Sequence, residues 1–98
     1  MKFTIVKLQK ALDDFENLSA EQQCAVNADY TTIQAKGIEF VKRRFLQDGI
    51  FEIKTDDVRS LFKYAENQII IIGLIYTKKT QKIPNQILKS AKKRFMEE

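Results

Sequence analysis

Hydrophobic residues in the first part of the chain follow first a strand pattern and then a helix pattern. The alternating apolar positions of residues 2–8 predict a short opening strand. Ala11, Leu12, Phe15 and Leu18 then recur at the i, i+3, i+4, i+7 spacing of an amphipathic helix. A strand followed at once by a helix is therefore predicted.

A second helix is indicated by its start and stop signals. Ser19 with Gln22 three residues later is the pattern of an N-cap with a capping box. The helix runs towards Lys36, and Gly37 is placed to end it. Two helices this short cannot bury their apolar faces alone, so we expect a hairpin packed on another layer.

The second half of the chain has the alternation and turn signals of an antiparallel meander. Residues 38–45 are compatible with either a turn of helix or an extended arm, and Asp48-Gly49 is a turn signal. Strands are predicted at residues 50–54, 58–65 and 68–76, and turns at residues 55–57 and 66–67.

Pro84 suits the first turn of a closing helix, because its fixed φ is helical and its missing N–H is not needed there. The order of elements predicts one α+β domain over residues 1–98. An N-terminal strand and a helical hairpin pack on an antiparallel meander, and a C-terminal helix closes the chain.

Composition narrows the class of protein. A chain of 98 residues with 44% hydrophobic residues suits one folded domain with a modest core. It has no histidine and one cysteine, so we expect no disulfide, no zinc site and no cofactor, and Cys24 is expected to be a buried, inert thiol. The longest apolar run falls well short of the roughly 20 residues that span a bilayer, and the N-terminal run is too interrupted for a signal peptide. A cytoplasmic protein without membrane contact is predicted.

The charge is lopsided. Residues 1–49 hold seven Lys or Arg and seven Asp or Glu, whereas residues 50–98 hold ten and six, so the whole net charge of +4 lies in the second half. Between Thr77 and Phe95 there are seven cations and no acid: Lys78, Lys79, Lys82, Lys89, Lys92, Lys93 and Arg94. This asymmetry favours a nucleic-acid face or an acidic protein partner, although composition alone fits a solvated basic surface better.

Topology predicts that several cations converge at one end of the sheet. Lys54 and Arg59 flank the same turn, and the strand ending at Tyr76 returns beside the strand of Arg59. Residues 76–79 are thus expected beside residues 58–61. Such a cluster could clamp RNA phosphates and stabilise the charge that develops when a 2′-hydroxyl attacks the adjacent phosphorus.

Other candidates are weighed against simpler roles. Tyr76, next to the basic cluster, suits base stacking and sheet packing equally, whereas packing is favoured for Tyr64. Asp13-Asp14 is expected on an exposed helix face, and Asp56-Asp57 is ordinary turn chemistry, so neither pair predicts a metal site. The cations of residues 42–44 fit three alternatives: the rim of the hydrophobic core, a second phosphate contact, or a membrane-surface patch.

Residues 46–54 (LQDGIFEIK) resemble the L-x-D-G-(I/L)-(F/W/Y)-E-(L/I)-(R/K) segment of RelE/ParE superfamily toxins, in particular the HigB-like branch of phage-derived proteins. Arg59 matches the arginine that begins the next strand of that family. Residues 78–84 (KKTQKIP) resemble its K-K-x-x-K-x-P signature, and Ala91 and Arg94 fit its closing A-x-x-R helix.

The resemblance implies a RelE-like fold and the toxin of a type II toxin–antitoxin system. Such toxins cut mRNA in the ribosomal A site without a metal and are neutralised by a cognate antitoxin, here of the helix-turn-helix, HigA-like type. Carried over by position, Arg59 holds the phosphate or the transition state. Lys54 and one of Lys78 and Lys79 serve in proton transfer or charge neutralisation, and Lys82 binds substrate. The further RNA contacts implied are Tyr76, Lys89, Lys92, Lys93 and Arg94.

The chain also departs from the family pattern. Lys54 stands where the family more often has arginine, and there is no histidine and no tyrosine after Tyr76. A mechanism that depends on lysine and arginine is implied. Because the ParE branch shares the fold and poisons DNA gyrase, two alternatives stay open: a non-nuclease member (a gyrase-type inhibitor or an inactive toxin) and a phage-derived RNA- or DNA-binding module.

Overall fold

The computed structural model describes residues 1–79 and 83–97, in which helices pack on both faces of a five-stranded sheet. The α+β class predicted from the sequence is confirmed. The elements in chain order are β1 (Thr4–Lys7), α1 (Gln9–Glu16), α2 (Ala20–Ala35), a 3₁₀ turn (Ile38–Phe40), β2 (Lys42–Gln47), β3 (Ile50–Thr55), β4 (Val58–Ala65), β5 (Ile69–Thr77) and α3 (Asn85–Glu97).

The sheet has the strand order β1-β5-β4-β3-β2. Strands β3 to β5 form the antiparallel meander that the turn signals predict, and β2 pairs antiparallel with β3. The opening strand adds to the meander in parallel, with Thr4 opposite Ile69 and Lys7 opposite Ile72. The sheet is therefore mixed, and its long apolar strand β5 lies between β1 and β4.

Residues 38–45 adopt both of the conformations that the sequence left open. A 3₁₀ turn at Ile38–Phe40 comes first, and the chain then extends into β2. Gly37 makes this possible, because its φ of 137° lies in a region that side chains disfavour. The meander is consequently one strand wider than predicted, and β2 forms its edge.

The helical hairpin covers one face of the sheet. The predicted capping box of α2 is confirmed, since the Ser19 hydroxyl accepts from Gln22 N–H at 3.1 Å and the Gln22 side chain accepts from Ser19 N–H at 3.0 Å. Tyr30 faces inward, and its hydroxyl is 2.7 Å from that of Ser60. Burial raises the pKa of Tyr30 far above its usual value, so the phenol stays neutral.

Cys24 does not have the buried position predicted for it. Its thiol is exposed. The buried residues of α2 are Val26, Tyr30 and Ile33, which follow helical spacing, and Cys24 lies outside that stripe.

Helix α3 covers the opposite face of the sheet. Leu88 and Ala91 are buried, and Ala91 belongs to a cluster with Leu61 and Leu74. The Phe95 ring lies so close to β5 that a Cβ added at Gly73 would come within 2.6 Å of it. Gly73 also lies at the register shift between β4 and β5, where the strand bulges. No helix in the described ranges has the length and apolar composition needed to cross a membrane.

An ion pair joins α1, β5 and α3. Asp14, predicted to lie on an exposed face, has only 21% of its side chain exposed and binds Arg94 at 2.6 Å. The same carboxylate accepts from Ile75 N–H at 3.0 Å, beyond the point where β1 ends, and Arg94 also donates to the Gly73 carbonyl at 2.9 Å. Asp14 thus replaces a missing neighbouring strand, because it satisfies a backbone donor at the edge of β5.

We expect Asp14→Ala to lower the free energy of unfolding by about 2–3 kcal/mol, because it strands both a partly buried guanidinium and the Ile75 N–H. In a domain of this size the loss corresponds to a fall in Tm of roughly 10–20 °C, measurable by thermal denaturation. Asp13→Ala is the matched control, since the exposed Asp13 contacts Gln9 within the same helix. Equal Tm values for the two variants would contradict the role given to Asp14.

Candidate functional site

The register of the sheet aligns three cations and a tyrosine in one row. Lys42 lies opposite Lys54, Lys54 opposite Arg59, and Arg59 opposite Tyr76. Directly opposed residues point to the same face of a sheet, so this row crosses four strands. Val58 lies opposite Thr77, which confirms the predicted approach of residues 76–79 to residues 58–61.

Next to this row is an open depression of about 560 Å³ on the surface. We call it the basic depression, and its lining residues are Arg44, Lys54, Asp56, Asp57, Arg59, Lys78 and Lys79. Five cations thus face two acids, and the depression is open enough for an extended polyanion. Within the described ranges, no three His, Cys, Asp or Glu side chains cluster as metal ligands would.

Arg59 is held firmly at the turn between β3 and β4. Its Nη1 donates to the carbonyl of Asp56 at 2.7 Å and to that of Val58 at 3.0 Å. Only 15% of the side chain is exposed. The guanidinium is therefore preorganised, with one edge committed to backbone carbonyls.

A buried carboxylate lies beside Arg59. Glu52 has no exposed surface, and its Oε1 is 3.0 Å from Arg44 Nε and 3.8 Å from Arg59 Nε. Burial of a carboxylate is costly unless cations compensate for it, and here two guanidinium groups do so. Glu52 in turn allows two arginines to lie close together despite their mutual repulsion.

Three buried polar atoms in the described chain have no hydrogen-bond partner, and they belong to this same part of the molecule: Glu52 Oε2, Arg59 Nε and Tyr76 Oη. Buried polar groups usually have partners, so these three atoms distinguish the part of the molecule beside the basic depression. Burial, and then the charge of Glu52, raise the pKa of Tyr76, whereas Arg59 and Arg44 oppose the rise. The Tyr76 phenol therefore stays protonated at neutral pH.

The other predicted catalytic residues lie where the topology requires. Lys54 is half-buried on β3 and Lys79 is exposed. Lys78 is half-buried, and its backbone N–H donates to the Asp57 carbonyl at 2.7 Å, which ties the end of β5 to the β3–β4 turn. Lys82 lies outside the described residues.

The cations of α3 do not line the basic depression. Lys92 binds Asp48 at 2.6 Å, and Asp48 belongs to the turn at the opposite end of β3 from Asp56. Arg94 is occupied by Asp14 and the Gly73 carbonyl, as described above. Lys93 lies 4.0 Å from Glu97 on the same helix, and Lys89 is exposed. RNA contact by these four residues stays a prediction, separate from the basic depression.

Sequence reasoning missed four residues of the site or left their role open: Arg44, Glu52, Asp56 and Asp57. Arg44 faces the site because residues 42–47 form the strand β2. The sequence pattern of residues 38–45 did not decide between a helical turn and an extended segment. Once the register of β2 with β3 is known, Arg44 lies opposite Glu52 and the ion pair follows. Asp56 and Asp57 form the turn that was predicted, and they also line the depression.

Comparison with known sequences places the chain in a family. The sequence profile of the family described as phage-derived protein Gp49-like (DUF891) matches residues 13–96. No curated protein sequence matches the chain.

Comparison with solved structures identifies the fold. One chain of the toxin–antitoxin complex RelBE2 from Mycobacterium tuberculosis superposes with a TM-score of 0.65 at 15% identity, over 80% of this chain and 100% of that one. A chain of the RelE–RelB complex from Pyrococcus horikoshii OT3 gives 0.62 at 9% identity, over 80% and 97%. Free Escherichia coli toxin RelE with two arginines replaced by alanine gives 0.67 at 15% identity, over 96% and 98%. The RelE-like fold is thereby confirmed.

Proposed function

The chain belongs to the phage-derived Gp49-like family and has the fold of RelE toxins, and from these facts we propose that it is the toxin of a type II toxin–antitoxin pair. Its activity in this proposal is ribosome-dependent cleavage of mRNA, which inhibits translation. The observation that carries the proposal is the row of Lys54, Arg59 and Tyr76 at the edge of the basic depression.

The residues of the depression suit cleavage by an internal nucleophile. The 2′-oxygen of the RNA forms a bond to the adjacent phosphorus as the P–O5′ bond breaks, which leaves a cyclic phosphate and a 5′-hydroxyl. Arg59 stabilises the negative charge that gathers on the phosphorane oxygens, because its guanidinium is fixed before the substrate arrives. Of Lys54 and either Lys78 or Lys79, one acts as a neutral amine that takes the proton from the 2′-hydroxyl, and the other acts as an ammonium group that supplies a proton to O5′.

An antitoxin would act by covering the basic depression. Five cations on an open surface suit an acidic segment of a partner protein, which would exclude RNA by occupying the same site. Two of the structures similar in fold are toxin–antitoxin complexes. We propose a cognate antitoxin of the helix-turn-helix, HigA-like type, and action in the cytoplasm on ribosomes and mRNA.

Primer extension on a reporter mRNA, in a cell-free translation reaction with and without the purified chain, tests the nuclease directly. We expect new 5′ ends that appear only during translation, since the message must be presented by the ribosome. The same mRNA incubated without ribosomes is the control and should stay intact. Uncut message during undisturbed translation would overturn the proposed activity.

A non-nuclease toxin of the same fold is the second candidate. Arg59 already donates to two carbonyls, and no histidine is present to move protons, which favours a binding role more than in a nuclease with a histidine base. Inhibition of DNA supercoiling by purified gyrase, together with uncut mRNA, would select this candidate.

A further inference from the structure

Glu52 is a fully buried acid next to the basic depression, and its position on β3 explains its environment. It precedes Lys54 by two residues and therefore points to the same face of the sheet. Its opposing residue on β2 is Arg44, and on β4 it lies opposite Leu61, two residues from Arg59. A buried ion pair does not explain the presence of Glu52 through stability, because apolar residues at such a position usually give a protein of equal or higher stability.

The contacts of Glu52 to its two arginines are unequal. Oε1 accepts from Arg44 Nε at 3.0 Å, but it is 3.8 Å from Arg59 Nε, just beyond hydrogen-bonding distance. Glu52 Oε2 and Arg59 Nε both lack partners. The attraction between Glu52 and Arg59 is therefore that of two opposite charges, without a hydrogen bond.

Arg59 needs two fixed edges if its guanidinium plane is to keep one orientation. The Asp56 and Val58 carbonyls hold Nη1, and Glu52 lies on the side of Nε. With Nη1 bound by the carbonyls and the Nε side attracted by the charge of Glu52, Nη2 is the nitrogen left to bind a phosphate. Without the attraction at Nε, the guanidinium plane can rotate about the contacts that Nη1 makes with the two carbonyls.

We propose that Glu52 is a positioning residue that orients Arg59 towards the RNA phosphate and does not itself touch RNA. The inference rests on the proposed function for the reaction that Arg59 serves. The orientation of Arg59 can be measured without any RNA.

A positioning role predicts opposite effects on binding and on cleavage. Glu52→Gln removes a negative charge from behind the depression, so RNA affinity at low salt should hold or rise. Cleavage should nevertheless fall on the order of 10- to 100-fold, because a misplaced catalytic group costs rate even when substrate is bound. Loss of structure would instead lower both the RNA affinity and the rate of cleavage.

The test compares three variants of the full chain with the native protein. Glu52→Gln removes the charge, and Glu52→Asp keeps the charge but withdraws it by one methylene. Asp48→Asn removes the same charge from the turn at the other end of β3, where Asp48 binds Lys92. For each protein we would measure Tm, affinity for a short single-stranded RNA, cleavage of translated mRNA, and hydrogen exchange of the Arg59 Nε–H by NMR.

We expect faster exchange at Arg59 Nε–H and slower cleavage in both Glu52 variants, with RNA affinity retained and Asp48→Asn unchanged in all four measurements. The Asp variant keeps the test decisive if the Gln variant fails to fold. Unchanged exchange at Arg59 in a folded Glu52 variant, or a parallel loss of Tm, affinity and cleavage in both Glu52 variants, would overturn the inference. If the native protein cuts no message, the proposed nuclease fails, and the exchange measurement still decides whether Glu52 positions Arg59.

Discussion

Arg59→Ala is expected to lower cleavage of translated mRNA by about 100- to 1000-fold and to abolish growth inhibition, because one preorganised donor to a developing oxyanion has this effect in other enzymes. The structure supports an effect of this size, since Arg59 is anchored by two backbone carbonyls and lies in the row formed with Lys54 and Tyr76. Cleavage would be followed by primer extension and toxicity by growth after induction.

Arg43→Ala is the matched control for this variant. Arg43 is an exposed arginine of β2 that donates to the Ile38 carbonyl and lies outside the lining of the basic depression. The Arg43→Ala variant loses the same charge as Arg59→Ala. Because Arg43 lies outside the depression, we expect the variant to cleave mRNA at close to the native rate. A folded Arg59→Ala protein that stays fully toxic would show that the site lies elsewhere.

RNA binding is expected to weaken about 50-fold between 50 and 200 mM salt. If Lys54, Arg59, Lys78 and Lys79 each neutralise one phosphate of a single strand, the slope of log affinity against log salt is about −3. A titration of labelled single-stranded RNA by fluorescence anisotropy at several salt concentrations gives this slope.

Variants at the two ends of β3 separate the basic depression from the general charge of the protein. Replacing Lys78 and Lys79 together by alanine should make the slope shallower by about 1.4, since two phosphate contacts are lost. Lys92→Ala removes a cation bound to Asp48 at the other end; an unchanged slope would confine RNA contact to the depression, whereas a slope shallower by about 0.7 would support the RNA contact predicted for Lys92. A flat salt response of the native protein would exclude the depression as the RNA contact.

The convergence of the site could be predicted because it depends on turns and alternation, which are local properties. The turn at Asp56-Asp57 joins Lys54 to Arg59, and the strand of residues 58–65 has the bounds that the pattern indicated. Register then brings Tyr76 beside Arg59 without any knowledge of side-chain packing. The closing helix and the capping box of α2 follow in the same way from Pro84 and Ser19.

The partners of charged residues were beyond prediction because they are distant in sequence. Arg94 and Asp14 are 80 residues apart, and the pairing depends on where β1 stops and α3 crosses the sheet. A basic run therefore suggested one polyanion face. Among its described residues, however, Lys78 and Lys79 line the depression, whereas Lys92, Lys93 and Arg94 form separate ion pairs on α3. Glu52 was hidden for the same reason, since its pairing needs the register of an edge strand that the sequence left ambiguous.

The way in which Arg59 is anchored has a consequence for the evolution of this chain. Its guanidinium binds main-chain oxygens of its own turn, so substitutions of the side chains at positions 56 and 57 do not remove its acceptors. Position 56 has a φ of 52°, which asparagine, aspartate and glycine accept readily. The turn at the rim of the depression can therefore change its side chains, within asparagine, aspartate and glycine at position 56, while Arg59 keeps both of its acceptors.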